Sequence, residues 1–522
     1  MTTLLIRKRI FGVSVFDAML AATSGLLLTA SFPKIDWGFL AWIAFVPLFC
    51  AIKTKSPRES FTLGFFTGLT HYVTLLYWIT GVMETYGRLP VVVCWSILLL
   101  FVMYLSLYPA VFALLTSQLR GRSPKYLWTA PFLWTGLEYV RAFLLSGFPW
   151  ENLGYSQYNW LQLIQISDIL GVYGLSALIL AVNAALFELG NAISHKGTIS
   201  WKPVLAVSVV MTGFISYGHW RIAEVERLAG AAPKRAVALV QGNIDQSKKW
   251  VESFQGETLK RYERLSLGVL ESRPDLMVWP ETALPFYFLY DEALTNQVVE
   301  LVRASKVCFV LGSPSFRTEG QGVRYHNSAY LLGPTGDVLG KYDKVHLVPY
   351  GEYVPLKRFF PFLGKIVEAV GNFEPGKEGQ VLSLNGQKLG VLICFEVIFA
   401  ELSRAMVRNG AQLLINITND AWFGTSSAPY QHLSMVVFRA VETRRAVGRA
   451  ANTGISAFID PVGRVLDQTP LFEEAVRTRL LPMMDEKTVY VRYGSFFAIG
   501  CVLVSLAACM GILIQKRRGR IS

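Results

Sequence analysis

The sequence is poor in charge. Asp, Glu, Lys and Arg make up 17% of its 522 residues, against about 25% in soluble domains. It is also poor in cysteine. Of six, Cys50, Cys94, Cys501 and Cys509 fall in apolar runs, and only Cys308 and Cys394 fall in the more polar stretch between them. No C-x-x-C pair and no H-E-x-x-H occurs, and the six histidines are scattered. These absences exclude a disulfide framework and offer no zinc site. No metal and no cofactor is expected. The first apolar run has no clear cleavage site after it and is read as a retained helix.

What the sequence does have is apolar runs. Apolar residues reach 52% and gather before residue 220 and after 494. A membrane span needs about 20 mostly apolar residues. Seven candidates lie at 12–32, 37–52, 60–80, 89–116, 126–146, 162–189 and 203–219, with an eighth at 494–514. The second is short, and the sixth can begin as an interfacial segment. "GFFTG" at 64–68 has the small-xxx-small spacing that lets helices pack closely in lipid.

Net charge is +13, but its placement argues for topology and against nucleic acid. Arg7, Lys8 and Arg9, then Lys53, Lys55 and Arg58, then Arg120, Arg122 and Lys125, then Lys196 and Lys202, and finally Lys516, Arg517, Arg518 and Arg520 mark alternate connections. The intervening loops hold only Lys34 and Arg88. By the positive-inside rule both termini face the cytoplasm, and the insert after the seventh span faces outward, into a bacterial periplasm. The expected organisation is a seven-helix membrane region at 1–220, a linker at 221–233, a periplasmic domain at 234–490, and a last helix with a basic tail at 491–522. A monomer is expected.

The insert alternates strand-like and helical stretches. "RAVALVQGNI", "DLMVWPET", "VCFVLGSPS", "NSAYLLGPTGDVLGKYDK", "KLGVLICFE", "AQLLINITND" and "ISAFIDPVGRVL" read as strands. Residues 254–272, 291–305, 396–408 and 430–447 read as helices. That alternation predicts α/β layers.

Three of these strand-like runs end on ionisable groups. "VWPETALP" carries Glu281, "GKYDKVHLVPYGEYVP" carries Lys344 and Glu352, and "LICFEVIF" carries Cys394 and Glu396. Read singly, Cys394 is a small core residue and Lys344 a solvated one. Together they form a coherent set. A cation lowers a thiol pKa, a carboxylate takes its proton, and an ammonium with a backbone N–H stabilises an oxyanion. The product is an acyl-thioester and ping-pong acyl transfer.

"WPETALP", "YDKVHLVPYGEYVP" and "ICFEVIF" resemble the Glu, Lys and Cys motifs of the nitrilase (carbon–nitrogen hydrolase) superfamily, over roughly 234–485. With the membrane spans, and with "GFPWENLGYSQ" and "NDAWFG", the whole chain resembles the apolipoprotein N-acyltransferase family of the bacterial inner membrane. The resemblance implies an α-β-β-α sandwich beside a bundle of about eight spans. It implies Glu281 as base, Lys344 as oxyanion stabiliser and Cys394 as nucleophile, with Glu352 and Glu396 orienting Lys344 or sharing protons. It also implies a Phe395 N–H in the oxyanion hole, and Asn327 and Trp250 near the site. The implied donor is a phospholipid, typically phosphatidylethanolamine, and the implied acceptor a diacylglyceryl-cysteine amine on an apolipoprotein.

Two other readings compete: a membrane-tethered amidase, and a transporter or sensor whose outer domain has lost catalysis. Seven spans exceed what tethering needs, and an intact Glu281, Lys344 and Cys394 weighs against the second. Within the spans, Glu138 and Arg141 form either a structural pair or part of a polar cavity. "ENLGYSQYNW" and 364–379 are candidate lids.

Overall fold

A computed structural model describes residues 9–120, 126–194, 200–319, 322–353 and 373–518. Arg7, Lys8, Arg122, Lys125, Lys196, Arg520 and residues 364–372 of one candidate lid lie outside the described residues, as do the side chains at 9–10 and 515–518. The chain forms two compact units. One comprises Met1–Gly81, Leu89–Arg221 and Ser495–Ser522; the other comprises Val82–Arg88 and Ile222–Gly494.

The first unit is helical, apart from a small hairpin of β1 (Arg9–Ile10) and β2 (Val13–Ser14). Among the described residues three helices are long and apolar enough to cross a membrane: Val91–Arg120, Val172–Ser194 and Phe496–Ile514. The predicted span at 37–52 is not one continuous helix. It is a tight turn at Gly38–Trp42 followed by the helix Val46–Ile52, whose seven residues rise only about 10 Å. The predicted span at 162–189 begins as two single turns, Leu161–Ile164 and Ser167–Leu170, ahead of its long helix.

The helix Pro57–Leu75 starts on a capping box. Ser56 Oγ accepts from Glu59 N, the Glu59 carboxylate accepts from Ser56 N, and Pro57 occupies the first turn where no N–H is needed. Its two "GFFTG" glycines meet the helix Val91–Arg120. A Cβ on Gly64 would overlap the Pro109 carbonyl, and one on Gly68 would lie 2.8 Å from Ser106 Cα.

Glu138 and Arg141 share one buried helix face, but each serves the segment that follows. Glu138 Oε1 accepts from Leu153 N at 2.7 Å and Trp134 Nε1 at 2.9 Å. Arg141 donates to Asn152 Oδ1 at 2.7 Å and Tyr72 OH at 2.8 Å. Residues 151–157 of the candidate lid "ENLGYSQYNW" are accordingly buried, which makes this stretch a packed part of the helical unit.

The second unit holds two six-stranded sheets. Its strands are β3 (Lys234–Gln241), β4 (Leu276–Val278), β5 (Cys308–Glu319), β6 (Gly322–Leu332), β7 (Val338–Asp343), β8 (Leu382–Leu384), β9 (Gln387–Ile393), β10 (Leu413–Thr418), β11 (Val447–Ala451), β12 (Ala457–Ile459), β13 (Val465–Gln468) and β14 (Ala475–Pro482). One sheet runs β14-β3-β4-β5-β6-β7 and the other β13-β12-β11-β10-β9-β8. Each has a parallel centre, β3-β4-β5 and β9-β10-β11, and antiparallel flanks.

The parallel strands read as continuous apolar runs because both faces are covered. Along β3, Ala238 and Val240 join the core beneath the helices Glu252–Leu267 and Glu292–Ser305. Val237 and Leu239 point the other way and approach Gly448 of β11. On the far side, Met406 of the helix Ala400–Arg408 packs over Gly390 of β9. The layers therefore run helix, sheet, sheet, helix.

Strands β8, β11 and β14 escaped the sequence reading. The stretch 430–447 read as one helix, but the helix Ala428–Thr443 ends at Arg444, which takes a left-handed φ of +51°, and β11 starts at Val447. Glycine, alanine and a buried Arg449 give β11 no β-type pattern. In β14, Arg477, Thr478 and Arg479 break the apolar run.

The close approach at Gly64 yields a prediction. Gly64→Leu forces the helices Pro57–Leu75 and Val91–Arg120 apart and should cost about 3 kcal/mol, read as a lowered melting temperature of the purified protein. Leu99→Ala, on a side chain 46% exposed, should leave it nearly unchanged.

Candidate active site

Strands of both sheets deliver their last residues to one place. Glu281 follows β4, and Lys344 directly follows β7, both in the first sheet. Cys394 directly follows β9 in the second. Asn327 lies on β6 on the same face as Ala329 and Leu331, the face that looks toward the other sheet.

Lys344 is 1% exposed and sits between two carboxylates. Its Nζ is 3.3 Å from Glu281 Oε1 and 3.0 Å from Glu352 Oε1. Asn327 Nδ2 donates to the same two oxygens, at 2.8 Å each. The other oxygen of Glu352 accepts from Val348 N at 2.8 Å, which closes the loop after β7. Burial works against the charge on Lys344, but Glu352 and Glu281 hold it above the usual lysine range.

Glu281 owes its place to Gly312. A Cβ at Gly312 would come 2.5 Å from Thr282 N and 2.8 Å from Glu281 Cα, so only glycine lets this turn lie on β5. Leu284 N donates to Gly312 O at 3.0 Å. Thr282 itself takes a left-handed φ of +47°.

Cys394 also has left-handed backbone, with φ +53°. For a residue with a Cβ this costs about 1–2 kcal/mol and turns the chain sharply out of β9. The thiol is almost wholly buried. Burial, reinforced by Glu281, pushes it up to about 12 against the pull of Lys344. Lys344 pulls the thiol down as expected, but burial outweighs it. The resting group is a neutral S–H, and a base must remove its proton at the moment of attack.

Glu396 does not join the Lys344 cluster. It ties two strand ends together. Oε2 accepts from Ile393 N at 2.7 Å, just before Cys394. Oε1 accepts from Val345 N at 2.6 Å, His346 N at 3.2 Å and Tyr342 OH at 2.9 Å, on either side of Lys344. Burial pushes its carboxyl up to about 7, although these donors and Lys344 pull the other way. Phe395 is half-buried, and its ring meets Phe399 edge-on at 5.4 Å while His346 stacks on Phe399. Trp250 is half-buried in the loop after β3, and the side chain of that loop that reaches Glu281 is its neighbour Lys249.

Behind Cys394 lies a buried polar network that the sequence reading missed apart from quoting "NDAWFG". The Thr418 side chain hydrogen-bonds the Cys394 thiol and donates to Asp420 Oδ1 at 3.0 Å. Arg449 NH2 donates to Asp420 Oδ2 at 2.6 Å, and His432 Nδ1 lies 3.2 Å from Asp420 Oδ1. Burial alone would raise Asp420, but Arg449 and His432 hold it well below the usual carboxylate range. Burial and Arg449 pull the His432 imidazole down, against Asp420, which pulls it up. The only legible signal was an aspartate beside an apolar strand end. Arg449 gave none, because it sits inside a strand.

Among the described residues no cluster of three or more His, Cys, Asp or Glu could hold a metal ion. The arrangement offers a thiol, a carboxylate and an ammonium, with a second carboxylate to keep the ammonium charged. It can deprotonate a thiol and stabilise an oxyanion.

Two predictions follow from the thiol and from Glu396. Alkylation of Cys394 by iodoacetamide should be slow at pH 7 and rise about tenfold per pH unit through pH 10, since thiolate grows in that proportion below the thiol pKa. A plateau near pH 8 would contradict a buried neutral thiol. Glu396→Gln replaces one acceptor oxygen by an NH2 group facing backbone N–H donors. It should cost about 1–3 kcal/mol and most of the activity, read by thermal unfolding and turnover together.

Comparison with known proteins agrees with this architecture. Residues 24–185 match the model of the apolipoprotein N-acyltransferase N-terminal domain, and residues 236–487 match that of the carbon-nitrogen hydrolases. An apolipoprotein N-acyltransferase of Geobacter metallireducens is 50% identical over 505 residues, covering 96% of each chain. That of Methylococcus capsulatus is 34% identical, again covering 96% of each. Among solved structures, an amidase from Nesterenkonia sp. AN1 covers 50% of this chain and 93% of its own, with a TM-score of 0.38 and 22% identity. On full-length identity and on both domain matches, the chain belongs to the apolipoprotein N-acyltransferase family.

Proposed function

We propose that the protein moves an acyl chain from a phospholipid, through a thioester on Cys394, to the N-terminal amine of diacylglyceryl-cysteine on apolipoproteins. The observation that carries this reading is the buried Glu281–Lys344–Glu352 cluster beside the thiol, in a chain whose full-length relatives are named apolipoprotein N-acyltransferases.

In the first half-reaction the Glu281 carboxylate takes the proton of Cys394 Sγ as sulfur bonds the ester carbonyl carbon. The carbonyl oxygen becomes an oxyanion held by Lys344 Nζ and the Phe395 N–H. The C–O bond then breaks, and the leaving glycerol oxygen takes the proton back from Glu281. Lysophospholipid departs. In the second half the lipoprotein amine attacks the thioester and gives a proton to Glu281. The C–S bond breaks, and the proton returns to sulfur. Each step is balanced without metal or cofactor.

Asn327 and Glu352 serve this chemistry through position. Glu352 keeps Lys344 charged when Glu281 has been protonated. Asn327 fixes the facing oxygens of both carboxylates and spares them from bonding each other. Glu396 orients the loop that carries Lys344. The same reading places residues 234–490 as a catalytic domain on the periplasmic side of the inner membrane, between seven spans and an eighth, with both termini cytoplasmic. The loop charges support that orientation. Phosphatidylethanolamine is the expected donor, and the enzyme is expected to act as a monomer.

An intact-protein mass spectrum after incubation with phosphatidylethanolamine and no acceptor tests the reading. The expected result is a gain of one acyl chain, released by neutral hydroxylamine, absent in Cys394→Ser and discharged by a diacylated lipopeptide. Glu281→Gln should slow formation of this adduct by about 10²–10⁴-fold. Hydrolysis of small amides with no adduct from lipid would favour an amidase instead.

A further inference from the structure

A second lysine reaches Glu281 by way of its main chain. Lys249, between β3 and the helix Glu252–Leu267, is 1% exposed. Its Nζ donates to the Glu281 carbonyl at 3.1 Å and to Thr282 Oγ1 at 2.9 Å. Burial pulls the ammonium down to about 8, and the charges opposing that fall are Glu281 and Cys394. Burying an ammonium against uncharged acceptors is expensive. What Lys249 holds explains why it is there. The Glu281–Thr282 turn is left-handed at Thr282 and rests on Gly312, where no Cβ fits. Lys249 grips the same turn through its carbonyl and hydroxyl. The setting of this turn decides whether the Glu281 carboxylate meets Asn327 and Lys344.

We propose that Lys249 is a positioning residue for acyl transfer: it fixes the turn that presents the Glu281 base, and it supplies a second positive charge facing Cys394 as the thiolate and then the oxyanion form. Lys344 cannot do both jobs alone, since it is already shared between Glu281 and Glu352. When Cys394 gives its proton to Glu281, negative charge moves from the carboxylate to the sulfur and on to the carbonyl oxygen. Lys249 holds the Glu281 main chain, and its charge interacts with both Glu281 and Cys394, the first two stations of that path; it neither gains nor loses a proton. This inference rests on the reading of Glu281 as base and Cys394 as nucleophile.

The test uses full-length protein in mixed micelles of detergent and phosphatidylethanolamine. Single-turnover thioester formation is followed by intact mass for wild type, Lys249→Met, Thr282→Val and Glu281→Gln. Alkylation of Cys394 by iodoacetamide is followed between pH 6 and 10, across the range in which Lys249 keeps and then loses its charge. Lys249→Met should acylate about 100-fold more slowly, and its alkylation should fall about tenfold below pH 8, the difference closing toward pH 10 as wild-type Lys249 sheds its own charge. A merely structural lysine would not move the alkylation profile of folded protein. Thr282→Val removes one of the two acceptors and should slow acylation about tenfold. It decides the matter should Lys249→Met not fold. Wild-type acylation and alkylation in Lys249→Met, with Glu281→Gln inactive, would overturn this inference and leave the triad standing. Loss of acylation with an unchanged alkylation profile would overturn its electrostatic half. Wild-type acylation in Glu281→Gln would overturn the triad itself.

Discussion

Two carboxyl groups brought together in a buried pocket need a shared proton or a cation between them, and in this protein the cation Lys344 bridges them. Its Nζ and the amide of Asn327 bridge the same oxygen of Glu281 and the same oxygen of Glu352. The four groups form a closed square of alternating donors and acceptors. Removing the ammonium would leave like charges facing each other in a space from which water is largely excluded. Breaking one partner of a buried ion pair costs about 3–5 kcal/mol. The positions of the surrounding elements follow from keeping this square closed. Val348 N anchors the far oxygen of Glu352, Glu396 binds the backbone on both sides of Lys344, and Gly312 lets the Glu281 turn lie flat.

Burial makes the same site slow to react at rest. The Cys394 thiol is held neutral, so nothing nucleophilic waits in the pocket until an ester lies against it. Soluble thiol enzymes often keep a preformed thiolate beside a cation. Here the proposed base, Glu281, is committed to a lysine and an asparagine. Behind the thiol, Arg449 and His432 hold the Asp420 carboxyl well below the usual carboxylate range, so it keeps its charge through neutrality.

The proposed triad was legible because each member interrupts an apolar run at a strand end, where an ionisable group is hard to explain as packing. Glu352 was legible from its spacing to Lys344 and Glu396 from its spacing to Cys394, although the structure gives them different partners. Lys249, Thr418, His432 and Arg449 were not legible. Each is a common polar residue in an ordinary local context, and only tertiary folding brings them to the site. The sheet pattern failed where the local signal is weakest: β11 is built of glycine and alanine around a buried arginine, and β14 is broken by exposed arginines. In the helical unit, hydropathy found where apolar sequence lies but not where a helix breaks. The stretch 37–52 is apolar throughout, yet it turns within its first five residues.

The proposed nucleophile and its proposed base belong to different sheets. Cys394 leaves β9, while Glu281 leaves β4 of the sheet stacked against it. Neither sheet alone contains a reactive centre, so chemical competence is a property of the closed sandwich. A chain in which only one sheet has formed carries an exposed, ordinary cysteine, with a pKa near 8.5 and no matched carboxylate. Such contacts, distant in sequence, are among the slowest to form. On the proposed reading, the means to capture an acyl chain arises only where the two sheets have packed.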